Sequence, residues 1–565
     1  MKKKLRILTA LLVLLCTGNG VMAQSNYQGG VVVSSFEFGP LDMLSLSQHN
    51  GTFSTARATA MGGAFTSLGG DLASMSINPA GIGMYRGSTF GFTPAMNFSG
   101  SDNSFSPGNI GNNRFSVNNV GTVINTYLGS GTATAFNFGF SYNKLADFNY
   151  SYEVSPSMGV HSLADLMSFH LNGLYEYLGG NGWNGISQKW LKNDPFLNAS
   201  LSLAEWGAIL GYQTGLVTSM KPGDENWSMY GVNGIDINAK VFPHMRVVNK
   251  GSVGEYNMTG SLNIENKLYL GLGITFQDIY LSRSIYYSEN YVDNNGDASG
   301  VKYLDRMNYD QSVRMSGFGM NFKVGAIYRP IPQLRIGLAV HTPTWTTVTH
   351  EYFASMETRF VDNSYGRSET LLNYYDMNYN SPPRLMAGIS YTLGDYAAFS
   401  VDYERVWYNG MRLTGENAYV RQGYKDEITD LYKASNNFKA GIEVKPIPEI
   451  ALRAGYAYYG TPLRYADTAD ERYSKPVVRQ TQNISAGIGF RLGYNVTLDL
   501  AYVYSMDKYC NFDVFYYQGQ LLKGTSEGDG EIIQTGNNPL TTEGGPISDL
   551  KVNRHTALMS LSFLF

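Results

Sequence analysis

Cysteine is almost missing from this 565-residue sequence: there are two, Cys16 and Cys510. Cys16 falls within an N-terminal leader, so one thiol remains, and neither an intramolecular disulfide nor a cysteine-based metal site is open to the rest of the chain. Charge is scarce as well. Asp, Glu, Lys and Arg make up 16% of residues, against roughly 25% in soluble globular domains. The net charge of -4 excludes a broad basic field for nucleic acid. The histidines His49, His161, His170, His244, His341, His350 and His555 are scattered, with no spacing that sets two on one metal. Asp293-Asn294-Asn295-Gly296-Asp297 starts like a calcium loop but lacks the later Gly and Glu, and reads as a solvated loop. Beyond the leader no apolar run is long enough for a membrane-crossing helix. Any insertion in lipid must be a closed barrel, because only that satisfies every backbone group.

What is present fits a barrel. There are 63 Gly, 42 Tyr and 28 Phe, and a mean hydropathy of -0.21 suits strands with one lipid face and one wet face. The leader reads as a signal peptide over residues 1–23. Lys2, Lys3, Lys4 and Arg6 form its basic part, Ile7 to Cys16 its apolar part, and Val21-Met22-Ala23 its cleavage site. Leu15, where a small residue is needed, argues against lipidation at Cys16. Residues 24–86 form an N-terminal extension and a compact small-residue segment, and residues 87–565 the barrel.

From Ser88 onward apolar and polar or small residues alternate in stretches of about ten, joined by tight turns on one side and long polar loops on the other. In Gly317 to Arg329, Phe318, Met320, Phe322, Val324, Ala326 and Tyr328 share one face, with Asn321 and Lys323 on the other. The pattern predicts an all-β transmembrane antiparallel barrel of about 14 strands, an even number as such barrels require. Residues 149–251 form a long extracellular insertion with two helices, starting at Ser162 and Ser202 with acidic capping partners Asp165 and Glu205. On the first, Leu163, Leu166, Met167, Leu171 and Leu174 make an apolar stripe: either a ligand-collecting surface or packing between helices. Alternation breaks near Leu145 to Phe148, marking the third strand as a candidate opening in the wall.

The stretch from Ala56 to Gly100 stands apart. Arg57 opens it, Met61-Gly62-Gly63 and Gly69-Gly70-Asp71 follow, and Ile77-Asn78-Pro79-Ala80-Gly81 precedes the first strand. Its side chains are too small to make a core of their own, so it needs a container. Asn-Pro-Ala, preceded by that glycine-rich run and followed by an alternating strand, resembles the FadL/TodX family of outer-membrane transporters. The resemblance implies a fourteen-stranded barrel with an N-terminal hatch inside, formed by Arg57, Gly62, Gly63, Asp71, Asn78, Pro79 and Ala80. It implies passive uptake of long-chain fatty acids or other hydrophobic small molecules across the outer membrane of a Gram-negative bacterium.

On the barrel strands, Lys323, Arg335, Lys439, Arg453 and Arg491 fall on inward positions. They are candidates to hold a ligand carboxylate, or else to pair with Glu443, Asp499 or Asp71. The terminal Phe565, ending an alternating strand, resembles the signal read by the barrel assembly machinery. No cofactor, metal or enzymatic chemistry is expected. The expected partners are a fatty-acid-like ligand and outer-membrane lipid, and the chain is expected to be a monomer. The competing readings are a polar-solute porin and a surface haem-binding or adhesion barrel. A hatched importer differs from a porin in having a plug and an apolar pocket.

Overall fold

A computed structural model describes residues 37–49, 54–103, 106–129, 131–155, 162–172, 188–192, 195–197, 201–220, 230–235, 239–294, 303–464, 479–513 and 547–565. The leader and Leu174 lie outside these residues.

The alternating strands close into a 14-strand antiparallel barrel. In order these are β1 Thr89–Asn103, β2 Ser106–Tyr127, β3 Ala133–Asp147 continued by Tyr150–Val154, β4 Lys240–Ile264, β5 Leu268–Val292, β6 Leu304–Ile331, and β7 Leu334–His341 continued by Trp345–Phe360. They go on as β8 Arg384–Leu393, β9 Ala397–Trp407, β10 Ala434–Ile447, β11 Ile450–Tyr459, β12 Arg479–Leu492, β13 Val496–Asp513 and β14 Ile547–Leu564. Each pairs with its neighbour, and β14 closes on β1 from Thr89↔Leu564 to Asp102↔Lys551. The wall claims more of the chain than alternation gave: Tyr150–Val154 and the start of β4 at Lys240, both assigned above to the insertion, are strand.

The two faces sort as the pattern requires. On β1, Phe90, Phe92, Met96 and Phe98 are exposed outward, and Thr93, Asn97 and Ser99 are buried inward. A row of large apolar side chains in water would be costly, so that face belongs in lipid. The short connections lie at one rim. Glu265 and Asn266, at φ 51° and 55°, make the left-handed pair that turns β4 tightly into β5. Long connections rise from the other rim.

Inside the wall the chain forms two layers. The lower is the hatch: α2 Ala56–Ala60, α3 Ser74–Ile77 and a 3-10 turn Pro79–Met84. Thr55 caps α2 by accepting from Ala58 N, and Asn78 caps the turn by accepting from Ala80 N. The upper layer contains α1 Pro40–Ser47, α4 Leu163–Asn172 and α5 Leu203–Gln213, and α6 Ala418–Leu431, largely exposed, rests against it through Ile428 and Leu431. The largest apolar cluster joins α1, α4 and α5 to inward residues of the tall strands, whereas the hatch contributes only small clusters.

Candidate functional site

The hatch is seated backbone to backbone. Gly62, at φ 66°, has no room for a side chain: a Cβ there would stand 2.8 Å from the Tyr456 carbonyl oxygen and 2.9 Å from that of Ala440. The wall is bare where it meets the hatch. A Cβ on Gly455 would lie 2.1 Å from Gly62 N, on Gly441 2.4 Å from Met61 O, on Gly337 2.2 Å from Thr66 O, and on Gly271 2.2 Å from Ala80 N. Inward glycines on four strands thus form a track that only another backbone can occupy.

Polar contacts complete the seating. Asn78 Nδ2 donates to Thr66 O at 2.7 Å and to Ala326 O at 3.3 Å. Pro79 and Ala80 are buried beside it, and Ser261 Oγ donates to Ala80 O at 3.2 Å. Gly63, at φ 73°, donates its N–H to Ala58 O. Arg57 Nε lies 3.0 Å from Glu443 Oε2, and its Nη1 donates to Gly70 O at 3.1 Å. Asp71 Oδ1 accepts from Thr55 Oγ1 at 2.6 Å and from Ala73 N at 2.9 Å, so it braces the hatch internally. Thr66 N donates to Asp402 Oδ2 at 2.7 Å.

The five basic candidates do not form one site. Lys323 pairs with Glu255 at 2.7 Å, Lys439 with Glu404 at 3.1 Å, and Arg453 with Glu443 at 2.6 Å and Asp499 at 2.5 Å. Arg335 donates to Leu68 O of the hatch. Arg491 is exposed next to the turn at Gly493. Lys439 and Arg453 are thus paired within the wall, while Lys323, which also donates to Ser76 O at 3.1 Å, and Arg335 join wall to hatch. His341 Nε2 lies 3.0 Å from Ile77 O, a lumenal hydrogen bond.

Above the hatch lies a cavity of about 100 Å³ with Lys144, Glu255, Arg384, Glu404 and Lys439 in its lining. It is polar, which corrects the expectation of an apolar pocket at the plug. His49 Nε2, Ser54 Oγ and Asn321 Oδ1, all in its lining, are buried with no hydrogen-bond partner. The apolar space of the lumen is higher, and α1 fills it. The stripe on α4 is not a collecting surface in this arrangement: Leu163, Leu166, Met167 and Leu171 are at most 3% exposed, packed with Trp206, Ile209 and Leu210 of α5. Glu289 holds that layer to β5, its carboxylate accepting from Ser162 Oγ at 2.5 Å and from Leu163 N at 2.7 Å.

The wall is interrupted at β3. β2 and β3 pair only from Asn119↔Asn143 to Tyr127↔Ala135. Register shifts between Lys144 and Ala146, and after Asp147 the strand turns inward. The carbonyls of Asn149, Ser151 and Glu153 then accept hydrogen bonds from Ser99, Ser101 and Asn103, inward side chains of β1. The upper part of β2 is left paired with β1 alone. Gly251 allows the bend: at φ 131° it approaches the Tyr280 carbonyl so closely that a Cβ would stand 2.0 Å away, and its own carbonyl accepts from Phe148 N and Asn149 Nδ2. Ser116, Asn118, Asn119 and Asn143 line the seam, and Asn118 Nδ2 is buried without a partner.

Neither a family model nor a curated protein matches the sequence. Among solved structures, a FadL homologue from Pseudomonas aeruginosa is similar over 91% of this chain and 98% of its own, at 12% identity and a TM-score of 0.48. The toluene transporter TodX of Pseudomonas putida is similar over 92% and 99%, at 12% identity and a TM-score of 0.45. The monoaromatic hydrocarbon channel CymD is similar over 90% and 97%, at 12% identity and a TM-score of 0.43.

Proposed function

We propose that the chain is an outer-membrane channel for passive uptake of hydrophobic small molecules, fatty-acid-like in having an apolar body and a polar head. The hatch shuts the straight path, and cargo leaves sideways at the seam between β2 and β3. The observation that carries this reading is the pairing of a closed floor with an interrupted wall. The glycine track holds the hatch against four strands, and β3 leaves β2 at Asn143. The polar cavity above the hatch suits a polar head, with the apolar layer over it for the body. That same cavity is what favours the second reading, a porin for polar solutes.

Conductance in planar bilayers separates the two. The native chain is expected to show no steady open current. Gly62→Trp with Gly63→Trp overpacks the seat by about 1–3 kcal/mol per site. It is expected to insert, to keep a heat-modifiable band on unboiled gels and to conduct ions. A large steady current through the native chain would establish the porin instead. Lipid extracted from detergent-purified protein and identified by mass spectrometry then names the cargo.

A further inference from the structure

Helix α1 lies in the apolar layer that cargo would use. Met43, Leu44, Leu46 and the preceding Phe38 are at most 1% exposed, all inside the largest apolar cluster. The helix is not seated as the hatch is. Among the described residues it has no glycine track beneath it, and hydrogen bonds hold it at its two ends. Glu37 Oε1 accepts from Leu203 N at 3.2 Å, Phe38 N donates to Tyr375 Oη at 2.9 Å, and Phe38 O accepts from Tyr424 Oη at 2.6 Å. At the other end Ser47 O accepts from Arg384 Nη2 at 2.7 Å. Ser47 Oγ meets the Tyr379 hydroxyl at that same end.

The ties also give the helix a direction. Leu203 begins α5 and Tyr424 belongs to α6, both in connections that rise from the long-loop rim. Arg384 is at the foot of that layer, opposite His341 in the register of β8 and β7. The chain therefore descends through the lumen, with residue 37 at the extracellular mouth and His49 at the polar cavity.

We propose that α1 is a tethered competitor for the cargo chamber: it fills the apolar layer in the resting state and undocks toward the extracellular mouth when a hydrophobic ligand takes its place. This rests on the uptake reading above. The chamber holds either the helix or the ligand, so the ligand gains entry only by its own affinity for the same apolar surface. The ties that must break include three hydrogen bonds at the mouth and, at the cavity end, those of Ser47 to Arg384 and Tyr379. The hatch below keeps its glycine seat and its Arg57–Glu443 pair throughout.

The test uses the full chain in intact cells and in purified form, with Cys510→Ser and Leu41→Cys, which leaves the mouth ties in place. Labelling by a membrane-impermeant maleimide reports the mouth end of α1, and a fluorescent polyene fatty acid is the binding probe. Met43→Glu with Leu44→Glu places two carboxylates in the apolar layer and expels the helix. Tyr375→Phe with Tyr424→Phe only loosens its mouth end, and heat-modified gel mobility confirms folded barrels for both. If α1 is docked nine-tenths of the time, expelling it tightens apparent probe affinity about tenfold. The loosened pair is expected to move the same way by less, and saturating probe is expected to raise labelling of the native helix. Labelling and affinity unchanged in both folded variants overturn the competitor. A rise in labelling with no probe bound by any form overturns the uptake reading, and the competitor with it.

Discussion

Arg57 and Glu443 meet across the boundary between plug and wall, and their geometry sets what each can lose. Glu443 also accepts from Arg453 Nε at 2.6 Å, so it keeps a cation when Arg57 is removed. Arg57→Met therefore costs the hatch only a charge-assisted contact, about 1.5–3 kcal/mol, and not the larger penalty of a stranded buried charge. The barrel is expected to stay folded and heat-modifiable, with brief current flickers in bilayers where the native chain is expected to show none. A second residue gives a pH dependence. Glu427 on α6 has an oxygen buried with no partner, and burial pushes its carboxyl up to about 7. The folded form thus holds a proton that the unfolded form, with an ordinary carboxyl, gives up earlier. The stabilisation is full below the ordinary carboxyl value and is lost as pH rises through about 7. Hydrogen exchange of α6 is expected to speed up between pH 5 and 8 beyond its intrinsic rise, and Glu427→Gln is expected to remove that excess.

Elements were legible in the sequence to the extent that their own periodicity fixed their faces. β6 announced itself because Phe318, Phe322, Val324 and Tyr328 alternate with Asn321 and Lys323, and those rows are the exposed and buried ones. The Ser202–Glu205 capping box stands as its spacing said. The partners of Lys323 and Lys439 were not legible, because Glu255 lies two strands away on β4 and Glu404 on the adjacent β9, and alternation says which face a residue takes, not which height. The sequence marks helix α1 only weakly: eight residues, apolar on several sides, give no clear stripe. The break in β3 was marked by its lost alternation, but its inward course depends on Gly251, a hundred residues later. That bend gives a prediction of its own. Ser116→Trp puts an indole at the seam, where Ser116 now joins Asn97 and Asn118 by hydrogen bonds of 2.9 Å. Uptake of a labelled fatty acid is expected to fall several-fold with bilayer conductance still nil. Undiminished uptake would place the exit elsewhere.

At the scale of the whole molecule, three things were read from sequence for different reasons. The container followed from missing apolar helices and scarce charge. The hatch followed from a segment too small-chained to fold alone. The layering of the lumen, with an apolar storey above a polar cavity above the hatch, did not follow from either. It arises from which strand heights carry Tyr and Met, such as Tyr287, Tyr352, Tyr379 and Met315, and which carry charge. A linear pattern does not order those heights until the registers are known.

The seam between the last strand and the first ends with Phe565 N donating to Ser88 O, and it encircles a segment that runs from the mouth to the opposite rim. The hatch bears on strands far apart in the chain: Gly62 lies against Gly455, Met61 against Gly441, and Ala80 against Gly271. Its seat therefore exists only once those strands stand in register round one lumen. The β14–β1 seam joins residues of the greatest sequence separation in the wall, so plug and wall are expected to complete together, with that zipping as a slow step of assembly.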